Sequence, residues 1–429
     1  MIDAPPPSPV AQVPGGDPAA HLRQIRWSPA LTRHAPLVAV LDTGVDPSAP
    51  ALAGAVDTRR ARTFAPGGGD PLEDPEGHGT HVAATIAGVA AGPGGPGVRI
   101  LPVTVAGPDG VTTTRSLVRG IRYATAARAR VINISFGGRG FSAAEQAAID
   151  DASRAGALVV VAAGNTGERG GPPEYPAAYR QVLAVAALGR EDRALAISAR
   201  GPHIALAAPG QAVAARVAPG RGPAAHEPRT GTSMAAAVTS GVAARAWARR
   251  PAMSAQQVRT LLESTARDVP PAGRDVGTGA GAVDLRAALA ARIPPPEDPE
   301  PNDDPALAAR TAPLLPPGGP GARAVRGRVG SWGDPRDGFR VHLRAGERLV
   351  ARLAGPAWAD LDLVAWRVGA PGGRRTPAFG ARWIAAASLG PDSSEVLDLR
   401  ATRTGFHTVE VQGSRGPAPY RLHVRRMGA

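Results

Sequence analysis

The chain has 429 residues, 43% apolar and 20% charged, values of a globular protein long enough to bury a full core and to form two or three domains. Its formal charge is +13 and all 49 basic residues are arginines, but they are spread along the length without a basic run, so they read as codon bias and no nucleic-acid partner is expected. The absence of cysteine excludes disulfides, thiol catalysis and thiolate metal sites, and no apolar run approaches the roughly 18 residues of a membrane helix.

Residues 1–36 mix Pro, Gly and Ala with no sustained period, which predicts an extended surface arm carrying a short helix near 21–25. The arm lacks the basic-then-apolar pattern of a signal peptide, so the chain as given is expected to be soluble. From residue 37 short β-branched runs alternate with Ala-rich stretches, the pattern of parallel strands joined by crossover helices. Strands are predicted at 37–41, 99–105, 131–135, 158–162, 182–186 and 204–207. Helices are predicted at 81–89, 116–128, 142–155, 233–249, 254–265 and 283–291, several opening on a serine, and Ser254 with Gln257 forms a capping-box pattern. Residues 37–292 therefore read as one α/β domain. Residues 293–320, rich in Pro, Gly and acids, read as a linker. Residues 321–429 alternate apolar and polar positions between turn residues, which predicts a small all-β sandwich.

Four segments place a chemically competent side chain at a strand end or a helix start, where sites in open α/β sheets lie. VLDTGVD at 40–46 delivers Asp42 to a Gly turn. Asp-Thr-Gly also occurs in aspartic peptidases, but those need two facing aspartates and no second copy is present. GHGTHVAATIAG at 77–88 carries His78 ahead of a small-residue helix, and its two histidines supply fewer ligands than catalytic zinc takes. VVVAAGNTG at 159–167 opens a buried strand into a turn at Asn165, which is either a turn former or an oxyanion donor. GTSMAAAVTSGVAA at 231–244 sets Ser233 at a helix start, where it is either an N-cap or a nucleophile aided by helix N–H groups.

Asp, His and Ser in these motifs follow the chain order of the subtilisin-type triad, and residues 37–291 resemble the subtilase family. INISFGG at 132–138 looks like the strand lining that family's substrate cleft. The resemblance implies a subtilisin-like parallel sheet flanked by helices. It also implies a serine endopeptidase with Asp42, His78 and Ser233 as triad and Asn165 in the oxyanion hole. An extended peptide would bind along Ser135, Phe136, Gly137 and Gly138. Glu174, before Tyr175-Pro176, falls near the base of the family's primary specificity pocket, where a carboxylate favours a basic residue. Alternatively Glu174 faces solvent as most glutamates do, and broad specificity is the default, because a strongly Arg-preferring enzyme would cut its own loops.

No cofactor is required by such chemistry. Structural calcium is possible in the family, but residues 89–97 offer no side-chain oxygens at the usual place, and the acids Asp70, Glu73, Asp74 and Glu76 read as a solvated loop, so no metal site is assigned. The segment before Asp42 does not look like a folded propeptide. Residues 300–309 and 337–349 resemble the opening of a pre-peptidase C-terminal domain, an accessory module. The expectation is a monomer acting on proteins or peptides, secreted or at the cell surface of a bacterium, with a cytoplasmic location open. The competing reading is a catalytically silent homologue that binds a partner or acts at a surface.

Overall fold

The computed structural model describes residues 17–29, 34–92, 96–107, 109–169, 173–218, 226–295, 302, 305–330, 336–370, 381–391, 393–413 and 418–428. Its contacts divide the chain into two compact units, Met1–Pro296 and Glu297–Ala429.

The first unit is built on a seven-stranded parallel sheet of β1 (Leu37–Asp42), β2 (Arg62–Thr63), β3 (Arg99–Thr104), β4 (Val131–Ile134), β5 (Leu158–Ala162), β6 (Val182–Leu188) and β7 (Ile204–Pro209), in the order β2-β3-β1-β4-β5-β6-β7. Strands β1, β4, β5, β6 and β7 are buried at every position, as continuous apolar runs covered on both faces must be. One face packs on α2 (His78–Ala90) and α5 (Thr232–Arg249), the other on α3 (Thr114–Ala126) and α4 (Ala143–Arg154). A two-stranded hairpin, β8 (Val213–Arg216) with β9 (His226–Arg229), precedes α5; α6 (Ala255–Ser264) and α7 (Leu285–Ala290) follow it. The capping box forms, with Gln257 N–H donating to the Ser254 hydroxyl at 3.1 Å and the Gln257 side chain accepting from the Ser254 N–H.

The N-terminal arm departs from the surface segment expected. A helix, α1 (Ala20–Gln24), is present, but Ile25 after it is fully buried in the core, and the Trp27 indole donates to the Val89 carbonyl at 3.1 Å. Arg245, buried in α5, stacks on Trp27 and donates to the Ser28 carbonyl at 2.8 Å, so residues 25–28 are anchored from beneath.

The second unit is a β-sandwich of two four-stranded antiparallel sheets. Its strands are β10 (Gly321–Val329), β11 (Arg336–Leu343), β12 (Arg348–Ala354), β13 (Leu361–Trp366), β14 (Ile384–Ser388), β15 (Val396–Arg400), β16 (Gly405–Gly413) and β17 (Ala418–Met427). The sheet orders are β10-β17-β12-β15 and β11-β16-β13-β14, closed over one apolar core. The segment read as linker is partly structured. Leu314 and Leu315 N–H groups meet the Arg340 carbonyl, the Asn302 carbonyl accepts from Gly338, and Leu315 is buried, because the run is apolar enough to cover the sandwich edge. No helix among the described residues is long and apolar enough to cross a membrane.

Candidate active site

Strands β1, β4 and β5 are adjacent and parallel, so their C-terminal ends open on one edge of the sheet. Asp42 ends β1, Ser135–Gly138 follow β4, and Asn165 follows β5. Helix α5 is fixed beneath this edge by a buried bond from the Ser240 hydroxyl to Asn133 Oδ1 at 2.9 Å, two turns beyond Ser233.

Asp42 is completely buried, and its Oδ1 lies 2.7 Å from His78 Nδ1 while also accepting the Thr43 N–H at 2.9 Å. Asp74 locks the two loops together. Its carboxylate accepts from the Thr43 hydroxyl at 2.6 Å, from Gly77 N–H at 3.0 Å and from Thr80 N–H at 2.7 Å. Gly79 has no room for a side chain, since a Cβ there would stand 2.1 Å from the Gly44 carbonyl oxygen. Helix α2 therefore begins at His78, three residues sooner than predicted: Gly77, in the left-handed region at φ 74°, turns the chain and Asp74 satisfies the first free N–H groups. The second histidine leads elsewhere, its Nε2 set 2.8 Å from the Glu227 carbonyl, so His78 and His81 do not form a ligand pair.

Burial of His78 opposes its charged form, yet the Asp42 carboxylate, by charge and hydrogen bond, and then Glu76 outweigh it and hold the imidazole pKa above its ordinary value. Glu76 accepts the His78 N–H at 2.8 Å, and its backbone carbonyl accepts from Arg229 at 3.0 Å. Arg229 thus joins the His78 loop to the strand that leads into Ser233. Sequence reasoning missed Asp74 and Arg229 as parts of the site; their signal was proximity alone, four residues before His78 and four before Ser233.

Ser233 is the second residue of α5 and 8% exposed, and the N-cap is Gly231, so Ser233 is not a capping residue. Asn165 Oδ1 accepts from the Thr232 N–H at 3.0 Å and from its hydroxyl at 3.1 Å. These bonds orient the exposed amide and set its Nδ2 beside Gly231 and the α5 N-terminus.

Along the expected peptide edge, Phe136 lies with its ring 6.3 Å from that of His78. Gly138 differs from expectation: it donates to the Tyr175 carbonyl at 2.8 Å and accepts from the Tyr175 N–H at 2.7 Å, so its backbone is already paired within the chain. Glu174 is 8% exposed, which overturns the solvent-facing alternative. Its Oε1 accepts from the Thr166 hydroxyl at 2.5 Å, and the carboxylate fills space that only glycine leaves open: a Cβ on Gly164 would lie 2.5 Å from Glu174 Oε2 and one on Gly137 3.1 Å from it. Among the described residues no arginine or histidine forms an ion pair with it.

The chain belongs to the subtilase family: residues 33–281 match the family model Peptidase_S8, described as the Subtilase family. Subtilisin amylosacchariticus of Bacillus subtilis subsp. amylosacchariticus is 34% identical over 257 residues, covering 58% of this chain and 65% of that protein. The chain thus spans less than two thirds of that relative's length. A subtilisin of Bacillus pumilus is 34% identical over 257 residues that make up 90% of it. Among solved structures, MycP1 from Mycobacterium smegmatis is 28% identical with a TM-score of 0.56 over 68% of this chain and 90% of that one. A lanthipeptide protease is 26% identical with a TM-score of 0.54, covering 60% and 89% respectively. The family match ends at residue 281, so the β-sandwich lies outside it.

Proposed function

We propose that this chain is a serine endopeptidase that hydrolyses peptide bonds in proteins through an acyl-enzyme on Ser233. The observation that carries the reading is the buried Asp42 carboxylate 2.7 Å from His78 Nδ1, on the sheet edge that also presents Asn165 and the N-terminus of the Ser233 helix. With Nδ1 engaged by Asp42, His78 is held in the tautomer that leaves Nε2 free to take the Ser233 hydroxyl proton as Oγ attacks the substrate carbonyl. His78 then protonates the leaving amine and activates the water that releases the acyl group. Asn165 Nδ2 and the Ser233 N–H would hold the oxyanion, where one well-aimed donor is worth roughly 10²- to 10³-fold in rate, a magnitude known from a subtilisin rather than deduced from this geometry. The chemistry needs no cofactor, and the acidic loop's Asp74 and Glu76 are engaged by protein donors, so no calcium site is assigned. Work outside the cell or at its surface suits the reading, with the β-sandwich as an accessory module.

A fluorophosphonate reagent tests the reading against a silent homologue. It is expected to label the native chain on Ser233, and neither the Ser233→Ala variant nor the denatured chain; an unlabelled native chain would favour the silent homologue.

Glu174 is the proposed base of the pocket for the residue before the cleaved bond, because a buried carboxylate without a basic partner is completed by a cation from the substrate. In a peptide library the parent is expected to favour Arg or Lys at that position and Glu174→Gln to lose the preference with little change for apolar residues. An unchanged profile would restore broad specificity.

A further inference from the structure

We propose that the outward face of the β10-β17-β12-β15 sheet is a docking surface for an anionic lipid bilayer. The inference is independent of the proteolytic reading and concerns the second unit alone.

Strand β17 alternates strictly: Tyr420, Leu422 and Val424 are buried inward, while Arg421, His423 and Arg425 are exposed outward. Strand β12 repeats the pattern, with Leu349, Ala351 and Leu353 inside and Arg348 and Arg352 outside. Arg326 of β10 and Arg400 of β15 complete the face. Register brings these side chains together across the sheet: Arg326 stands opposite Arg421, Arg352 opposite His423, and Arg348 opposite Arg400. Arginines scattered in the sequence thereby become one basic surface.

Like charges directly opposite in a sheet destabilise it, so packing does not account for the Arg326–Arg421 and Arg348–Arg400 pairs. Codon bias explains how many arginines the chain has, not why they share a face. Asp398 is the one acid among the described outward positions and it pairs with Arg348. Among the described residues, Arg326, Arg352, Arg400, Arg421 and Arg425 have no carboxylate partner. The opposite sheet behaves differently, since its outward Arg336 lies 3.6 Å from the buried Glu410.

The shape selects a bilayer over a nucleic acid. The guanidinium groups are spread in two dimensions, across strands about 4.8 Å apart and along them at about 6.8 Å, instead of lining a groove. No described outward position carries a Phe, Tyr or Trp on which bases would stack. The guanidinium fork matches lipid phosphates, and exposed Ala322 and Val396 with half-buried Val350 between the arginines tolerate the headgroup region.

The test is co-sedimentation of the full chain, carrying Ser233→Ala against self-cleavage, with phosphatidylcholine vesicles containing about one third phosphatidylglycerol at about 0.1 M salt. Binding is expected to these vesicles and not to phosphatidylcholine alone, and to vanish near 0.5 M salt, where screening is close to 4 Å. The triple variant Arg352→Gln, Arg421→Gln, Arg425→Gln is expected to bind roughly 100-fold more weakly, about fivefold per arginine. Its melting temperature should not fall, because repulsion is relieved. A charge-matched control, Arg59→Gln, Arg122→Gln, Arg249→Gln, should retain binding. Equal loss in both triple variants, no loss in the first, or tighter binding to DNA at matched phosphate concentration would overturn the proposal.

Discussion

Glu76 and Asp42 act on His78 from two sides, one at its backbone and one at its ring, and both raise the imidazole pKa against the opposing effect of burial. A general base must be neutral to accept a proton, so the acid limb of kcat/KM follows the His78 pKa. Removing the Glu76 charge with Glu76→Gln weakens the stabilisation of the imidazolium and lowers that pKa. The acid limb should therefore move to lower pH, with the plateau rate little changed because the Asp42 bond remains. A pH–rate profile checks this, and a limb that stays in place or moves to higher pH would contradict the assignment of His78 as base. Glu174 is the other residue whose surroundings decide its role. Its sequence context left pocket and solvent open, and its burial, with the close glycines at 137 and 164, shows that the carboxylate turns inward.

At the scale of elements, the site depends on helices α2 and α5 lying close together, which small residues permit. Gly241 faces Val89, and a Cβ on Gly241 would stand 2.6 Å from the Val89 Cβ. Gly241→Val should destabilise the chain by about 1–3 kcal/mol, read as a lower midpoint in urea, and an unchanged midpoint would show that the helices can separate without cost. Most of this architecture was legible, since the sheet strands are uniformly apolar and parallel strands buried on both faces read as continuous runs. Boundaries were less so. The starts of α2 and α5 moved earlier because Gly77 and Gly231 are their N-caps and glycine carries no capping side chain to signal the place. The two-residue β2 and the β8–β9 hairpin were not predicted, since neither has a sustained apolar run. The anchoring of Ile25 was equally hidden, for burial of one residue by distant helices leaves no periodic trace.

For the whole molecule, the proposed triad draws on the crossover topology, in which β1 lies between β3 and β4 and a helix from later in the chain passes beneath the same edge. The outward arginines of β10, β12, β15 and β17 behave likewise, apart in the sequence yet gathered by strand register on one sheet face. The first of these convergences is tested most directly by casein hydrolysis by the purified chain beside its Ser233→Ala variant. Cleavage by the parent, with a fall of several orders of magnitude in the variant and any residual rate owed to the oxyanion site, is the predicted result. Equal cleavage by both proteins, or no cleavage by either, would contradict it.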